Sequence, residues 1–144
     1  MTSVAAILKD KGDRVIAVGP DDSIDRVVAT LARERIGAVL VRDGAGQVLG
    51  VLSERDIIRG LGQHGAALLQ MPSNSLMTRA VVYCTPDDTI DEVMQRMTQR
   101  RFRHLPVLHE GRLMGMISIG DVVKFRIAET ELEAESLKAY IATG

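Results

Sequence analysis

Gly50-Val51-Leu52-Ser53-Glu54-Arg55-Asp56 returns as Gly115-Met116-Ile117-Ser118-Ile119-Gly120-Asp121: a glycine, an apolar pair, a serine and, three residues on, an aspartate. The two stretches lie 65 residues apart. Upstream, Pro20-Asp21-Asp22-Ser23-Ile24-Asp25 returns as Pro86-Asp87-Asp88-Thr89-Ile90-Asp91 at an offset of 66. The one-residue difference falls between Arg42-Asp43-Gly44-Ala45-Gly46-Gln47 and His109-Glu110-Gly111-Arg112. Both are turn-like, and turns tolerate length changes. Self-similarity at a fixed period marks a repeated structural unit, here about 60 residues long and present twice.

Each copy carries the same succession of local signals. A short apolar strand (Val15 to Val18; Val81 to Cys84) meets a Pro-Asp-Asp turn. Ser23 or Thr89 follows as N-cap, its hydroxyl able to satisfy an orphan backbone N–H. Ile24, Val27, Val28 and Leu31 then stand at helical spacing, as do Ile90, Val93, Met94 and Met97 in the second copy. Two apolar runs around a Gly-containing turn predict a hairpin, Ala38 to Val41 with Val48 to Leu52, and His104 to Leu108 with Leu113 to Ser118. A second helix follows from Glu54 or from Gly120. The order is strand, helix, strand, strand, helix, twice. The expected organisation is a first repeat over 4–65, a linker over 66–76, a second repeat over 77–128 and a helical extension over 129–144. The last helix runs unbroken to about Ile141, and Val123, Ile127, Ala134, Leu137 and Ile141 mark an apolar face. That face either packs back on its own domain or makes a subunit contact.

Composition narrows the classes of function. Eighteen basic and nineteen acidic residues leave a net charge of −1, without the clustered positive charge that nucleic-acid binding draws on. Aromatic residues are 3% of the chain and Trp is absent, so the core is built from aliphatic side chains and base-stacking platforms are scarce. The single cysteine, Cys84, excludes an internal disulfide and a multi-cysteine zinc site; on an apolar strand, it reads as a buried thiol. His64, His104 and His109 lack metal-ligand spacing, so no metal is expected. No Walker-type loop and no G-x-G-x-x-G fingerprint occurs, and Gly60-Leu61-Gly62 reads as a helix end. No nucleophile–base–acid set is visible, and no enzyme is expected. The opening MTSVAAILKDKGDR is charged too early for a signal peptide, and no apolar run approaches the roughly 18 residues of a membrane span. A soluble protein of the cytoplasm, with no membrane partner, is the simplest expectation.

These features together resemble the cystathionine-β-synthase-type (CBS) domain family. The Gly-apolar-apolar-Ser-x-x-Asp segments resemble its ribose-binding motif. Arg101-Phe102-Arg103-His104-Leu105-Pro106-Val107 resembles its second-strand signature, and the Pro-Asp-Asp-Ser/Thr-Ile openings are similar to the start of its first helix. The resemblance covers about residues 4 to 127. It implies an α/β (α+β) protein of two β-α-β-β-α repeats packed through their sheets with pseudo-twofold symmetry, here with a long C-terminal helix. It further implies a regulatory module that binds an adenine nucleotide, AMP, ATP or NAD(H), in clefts between the repeats. A homodimer forming a four-repeat disc and an unidentified effector protein complete that expectation. The alternative is a non-catalytic dimerisation scaffold with vestigial clefts.

The residue chemistry can be stated without the family. Ser53 and Ser118 stand where a strand passes into a helix, whose N-terminal amides favour a phosphate, and Gly120 is one of those first-turn amides. Asp56 and Asp121 sit in the first turn, where a carboxylate can accept from both hydroxyls of a ribose. The same Ser-x-x-Asp spacing is also a capping box, and the two roles can coexist. Arg103 and His104 are candidates for phosphate contact. As strand neighbours they would point to opposite faces, and each also has a plain reading, as a surface charge and as a hydrogen-bonded structural histidine. Ile16, Ile36, Gly37, Ala38, Tyr83 and Pro106 are candidate walls for a base, although packing suits the apolar ones equally. Lys11, Arg14 and Arg55 are further cations, read first as solvated. The copies differ in chemistry. Where the second has Arg103-His104 the first has Gly37-Ala38, so two clefts of unequal preference are expected.

Overall fold

A computed structural model describes residues 2–143. In chain order the elements are α1 (Val4–Lys11), β1 (Ala17–Val18), α2 (Ile24–Glu34), β2 (Ala38–Arg42), β3 (Val48–Ser53), α3 (Glu54–His64), α4 (Ile90–Arg100), β4 (His104–His109), β5 (Arg112–Ser118) and α5 (Ile119–Thr143). Two short 3-10 turns, Gly65–Gln70 and Ser73–Ser75, lie between α3 and α4. The chain divides into two compact units, residues 15–81 and, for the other, the stretch through Arg14 together with everything from Val82 on.

In the first unit β1, β2 and β3 form one sheet, β1 parallel and β3 antiparallel to β2. Val39, Val41 and Leu52 pack with Ile24, Val27 and Leu31 of α2 and Ile57 of α3. The second unit repeats this with β4 and β5, placing Leu105, Val107 and Ile117 against Ile90, Val93, Met97 and Val122. Both hairpins carry a register shift at matching points, between Val41 and Arg42 and between Val107 and Leu108. The expected helix starts are there. The Ser23 hydroxyl accepts from the Arg26 amide and the Thr89 hydroxyl from the Glu92 amide, each using an otherwise orphan donor. Both helices end on an arginine in the left-handed region, Arg35 at φ 55° and Arg101 at φ 58°, a stop usually left to glycine. The turn lengths differ as the offsets imply. Glu110 and Gly111, both at positive φ, close β4–β5 as a two-residue turn. In the β2–β3 turn the Asp43 carboxylate accepts from the amides of Ala45 and Gln47.

Several expectations need correction. The first strand of each repeat shrinks to Ala17–Val18 in one copy and to a single bridge, Cys84 with Val107, in the other. Val28, on the expected buried face of α2, is exposed because the core meets only the Ile24, Val27 and Leu31 side. α1, which the repeat pattern does not contain, is a full helix whose Val4 and Ile7 are completely buried in the core of the second unit. Its partner in the first unit is the stretch before the second repeat: Leu68 and Met77 are buried with α2 and α3, and Thr78 pairs with Val51 through amide–carbonyl bonds of 2.8 and 3.0 Å. Each repeat's leader therefore completes the unit built around the other repeat.

Candidate functional site

The quoted motif is a strand-to-helix turn in both units, and its glycine is there for packing. A Cβ on Gly50 would lie 2.7 Å from the Thr78 carbonyl oxygen and 2.9 Å from the Met77 sulfur. One on Gly115 would lie 2.7 Å from Cδ2 of Leu8, in α1. These glycines let the leader segments approach the strand that ends in the motif serine.

In the first unit the Ser53 amide donates to Asp56 Oδ2 at 2.9 Å, and the Asp56 amide donates back to the Ser53 hydroxyl at 3.4 Å. The capping box is thus present. The amide of Glu54 donates to the Gly37 carbonyl at 2.9 Å, so the Arg55 amide is the first-turn donor that neither bond takes up. Asp56 is buried, and its other oxygen, Oδ1, receives the Thr78 hydroxyl at 3.4 Å and stands 3.8 Å from the Arg59 guanidinium. Ala38 is opposite Ser53 in the ladder and buried. Ile36 and Ile16 are half-buried against the core of the unit, and the Ile16 carbonyl accepts from the Leu40 amide. The Arg55 side chain is exposed on the first turn of α3.

The second unit repeats the turn with different surroundings. The Ser118 amide donates to Asp121 Oδ2 at 2.8 Å and the Asp121 amide to the Ser118 hydroxyl at 3.2 Å. The Ile119 amide donates to the Arg103 carbonyl, leaving the Gly120 amide as the donor outside these bonds. Lys11, read first as solvated, reaches back from the end of α1. Its ammonium donates to Asp121 Oδ2 at 2.7 Å and to the Met116 carbonyl at 2.9 Å. Burial pushes the Asp121 carboxyl up, but the hydrogen bonds and charge of Lys11 and the Ser118 amide outweigh it and hold the group below its ordinary value. Both bonds fall on Oδ2, which places Oδ1 outside the cap and the ion pair.

His104 is opposite Ser118 in the ladder and half-buried. Pro106, two residues on and so on the same sheet face, is buried. Arg103 lies before β4 rather than in it, and its side chain is exposed. Arg103 thus stands just ahead of the ladder, joined to it only through its carbonyl, which takes the Ile119 amide. Tyr83 is half-buried, with its carbonyl accepting from Arg96, and burial pushes its phenol up. Cys84 is buried, and its thiol is pushed up to about 12 by burial first and the nearby Asp88 charge second. The geometry brings Ser118, Gly120, Asp121, His104 and the Arg103 main chain to one end of the β4–β5 hairpin, and Ser53, Asp56, Gly37 and Ala38 to the matching end of β2–β3. Two contributors escaped the sequence: Thr78 on Asp56, and the ion pair that Lys11 makes. Among the described residues no group of three or more His, Cys, Asp or Glu side chains is placed to hold a metal, and no helix is long and apolar enough to cross a membrane.

The profile of the CBS domain family matches this chain twice, over residues 7–63 and 74–128. The chain belongs to the CBS-domain family. Among curated relatives, the Arabidopsis thaliana "CBS domain-containing protein CBSX3, mitochondrial" is 32% identical over 151 aligned positions, which cover 99% of this chain and 73% of that protein. The Methanocaldococcus jannaschii protein MJ1225 is 30% identical, and there the match spans only 39% of the relative. Among solved structures, the CBS-domain containing protein ATU1752 from Agrobacterium tumefaciens is 49% identical with a TM-score of 0.85, covering 87% of this chain and 93% of that one. The CBS domain pair of protein MJ0100, solved in complex with 5′-methylthioadenosine and S-adenosyl-L-methionine, shares the fold at 22% identity and a TM-score of 0.79, covering 90% of this chain and 98% of that one. The two-repeat α+β architecture of this CBS pair thus agrees with its relatives and with its own strand order.

Proposed function

We propose that this CBS pair is a regulatory module that reversibly binds an adenosine-type ligand, AMP, ATP or NAD(H), and passes the signal through self-association or an effector protein. The observation that carries the reading is the turn at Ser118-Ile119-Gly120-Asp121. There a carboxylate held ionised by Lys11 keeps Oδ1 outside its cap, and the Gly120 amide precedes it by one residue in the first turn of a long helix. A ribose diol suits that oxygen, and a phosphate suits the amide. Ser118, His104 and Arg103 stand at the same end of the hairpin, and Pro106 and Tyr83 lie further along as walls for a base. The complex of the MJ0100 pair with two adenosine compounds supports the ligand class. In the first unit Asp56, Ser53, Ile16, Ile36, Gly37 and Ala38 form the counterpart. Because both Asp56 oxygens already have partners, this is the weaker site. No chemical step belongs to this reading, and a ligand acts only through its difference in affinity for two arrangements of the protein.

Thermal-shift and calorimetric titration with AMP, ADP, ATP, NAD(H) and S-adenosylmethionine tests it. At least one ligand raises the midpoint, and Asp121→Ala removes the rise while Asp56→Ala reduces it less. If no ligand shifts the midpoint, or both alanine variants bind as the parent does, the reading fails. The second reading is a homodimeric scaffold without ligand. It is favoured by the exposed apolar side chains of α5, among them Leu137 and Ile141, and it predicts a dimer indifferent to every nucleotide.

A further inference from the structure

α5 runs 25 residues, to Thr143, while the family profile ends at residue 128. Its first turns pack Val122 and Phe125 against the core of their unit. About a quarter turn around the helix stands a second row: Val123, Ile127, Thr130, Ala134, Leu137 and Ile141. The intervals alternate four, three, four, three and four, the spacing of a coiled-coil seam. Every residue in the row is exposed, Ile127 at 53%, Leu137 at 60% and Ile141 at 68%. An apolar row at this spacing with nothing packed on it among the described residues lacks a packing partner.

The flanks of the seam say which partner fits. Lys124, Glu131 and Lys138 border one side, and Arg126, Glu133 and Tyr140 border the other. In a parallel pair a residue on the second flank meets the residue five positions later on the first flank of the other helix. Arg126 then meets the partner's Glu131, and Glu133 meets the partner's Lys138. In an antiparallel pair each flank meets itself. Glu131 would face the partner's Glu131, Glu133 the partner's Glu133, and Lys124 the partner's Lys138, all like charges. Arg126 already pairs with Asp91 and Glu129 within its own chain, so Glu133 with the partner's Lys138 is the contact that sets direction.

We infer that the seam from Val123 to Ile141 is a self-association surface, on which a second copy of this chain docks its own α5 in parallel and in register. Parallel pairing about a twofold axis places each seam residue opposite itself. It rests on the helix alone, so it stands or falls independently of ligand binding.

Analytical ultracentrifugation of the full chain at tens of micromolar, with and without seam substitutions, tests the surface. The parent sediments as a dimer, and Leu137→Glu or Ile127→Glu weakens the dimer by at least about tenfold, since each puts two charges in the seam. Leu132→Glu, at an equally exposed position off the seam, leaves the dimer as it is, and circular dichroism of each variant checks that the helix persists. Direction is read by cysteine pairing. Ala134→Cys alone gives a disulfide-linked dimer under mild oxidation, and Glu133→Lys weakens the dimer while Glu133→Lys with Lys138→Glu restores it. A monomeric parent, a dimer untouched by the Leu137 and Ile127 variants, or cross-linking only in a mixture of Thr130→Cys and Ala134→Cys chains would each overturn the proposal.

Discussion

Alanine at Gly50 and at Gly115 makes the same chemical change in the same motif, yet the structure predicts different costs. At Gly50 the new methyl carbon would lie 2.7 Å from the Thr78 carbonyl oxygen, well inside contact distance. That carbonyl accepts from the Val51 amide at 3.0 Å, while the Thr78 amide donates to the Val51 carbonyl at 2.8 Å. Thr78 can retreat only by stretching both bonds and its hydroxyl's contact with Asp56. Overpacking against backbone costs about 1–3 kcal/mol and a weakened buried hydrogen bond adds about 1. Gly50→Ala should therefore destabilise by about 2–4 kcal/mol, a fall in Tm of about 6–12 °C for a chain of this size. At Gly115 the close atom is a terminal methyl of Leu8, and the next lies 3.9 Å away. A rotated leucine relieves that overlap for about 0.5–1.5 kcal/mol. Calorimetric melts at one fixed protein concentration measure the difference, since self-association also adds stability by mass action. Adding Leu8→Ala should recover part of the loss in Gly115→Ala, because the two sites couple through that methyl. Equal melting points for the two glycine variants, or a larger loss at Gly115, would refute the argument that backbone, rather than side chain, makes the first site rigid.

Lys11→Met should lower stability near neutrality by about 0.5–1 kcal/mol, the range of a partly exposed ion pair. Asp121 is held below its ordinary value, so its contribution is fully present above the unfolded carboxylate pKa of about 3.9 and is lost as pH falls through the lower folded value. The gap between parent and Lys11→Met in urea melts should close over that acid range and stay constant above it. Cys84, buried with its thiol pushed up to about 12, should resist a disulfide reagent at pH 8 in the native state, where burial disfavours the thiolate, and react promptly in denaturant, where that burial is gone; rapid native labelling would contradict its burial. Ser23→Ala and Thr89→Ala should each cost about 1 kcal/mol by removing the N-cap of α2 or α4, read from the same melts.

Much of this protein is written locally. Ser23 and Thr89 start their helices, the apolar spacing of Ile24, Val27 and Leu31 reappears in the core, and the hairpins lie where the two apolar runs flank a Gly-containing turn. Ser-x-x-Asp reads as a cap from spacing alone, and both caps are made. These signals are legible because capping, turn chemistry and helical periodicity join residues only a few positions apart. They mislead at Val81 to Cys84, an apolar run of which only Cys84 bridges the neighbouring strand, at Val107.

What surrounds the two motifs belongs to tertiary structure. Lys11 meets Asp121 across 110 residues of chain, and Thr78 meets Asp56 across 22. No periodicity reports such pairs, because they form only after the leader of each repeat has packed into the unit of the other. The repeated glycine in Gly50-Val51-Leu52-Ser53 and Gly115-Met116-Ile117-Ser118 records the close approach, but not which segment approaches. The sequence by itself determined two copies of one strand–helix turn. The exchange of leaders gave one aspartate a cation and the other a hydroxyl, and so made the two copies chemically unequal.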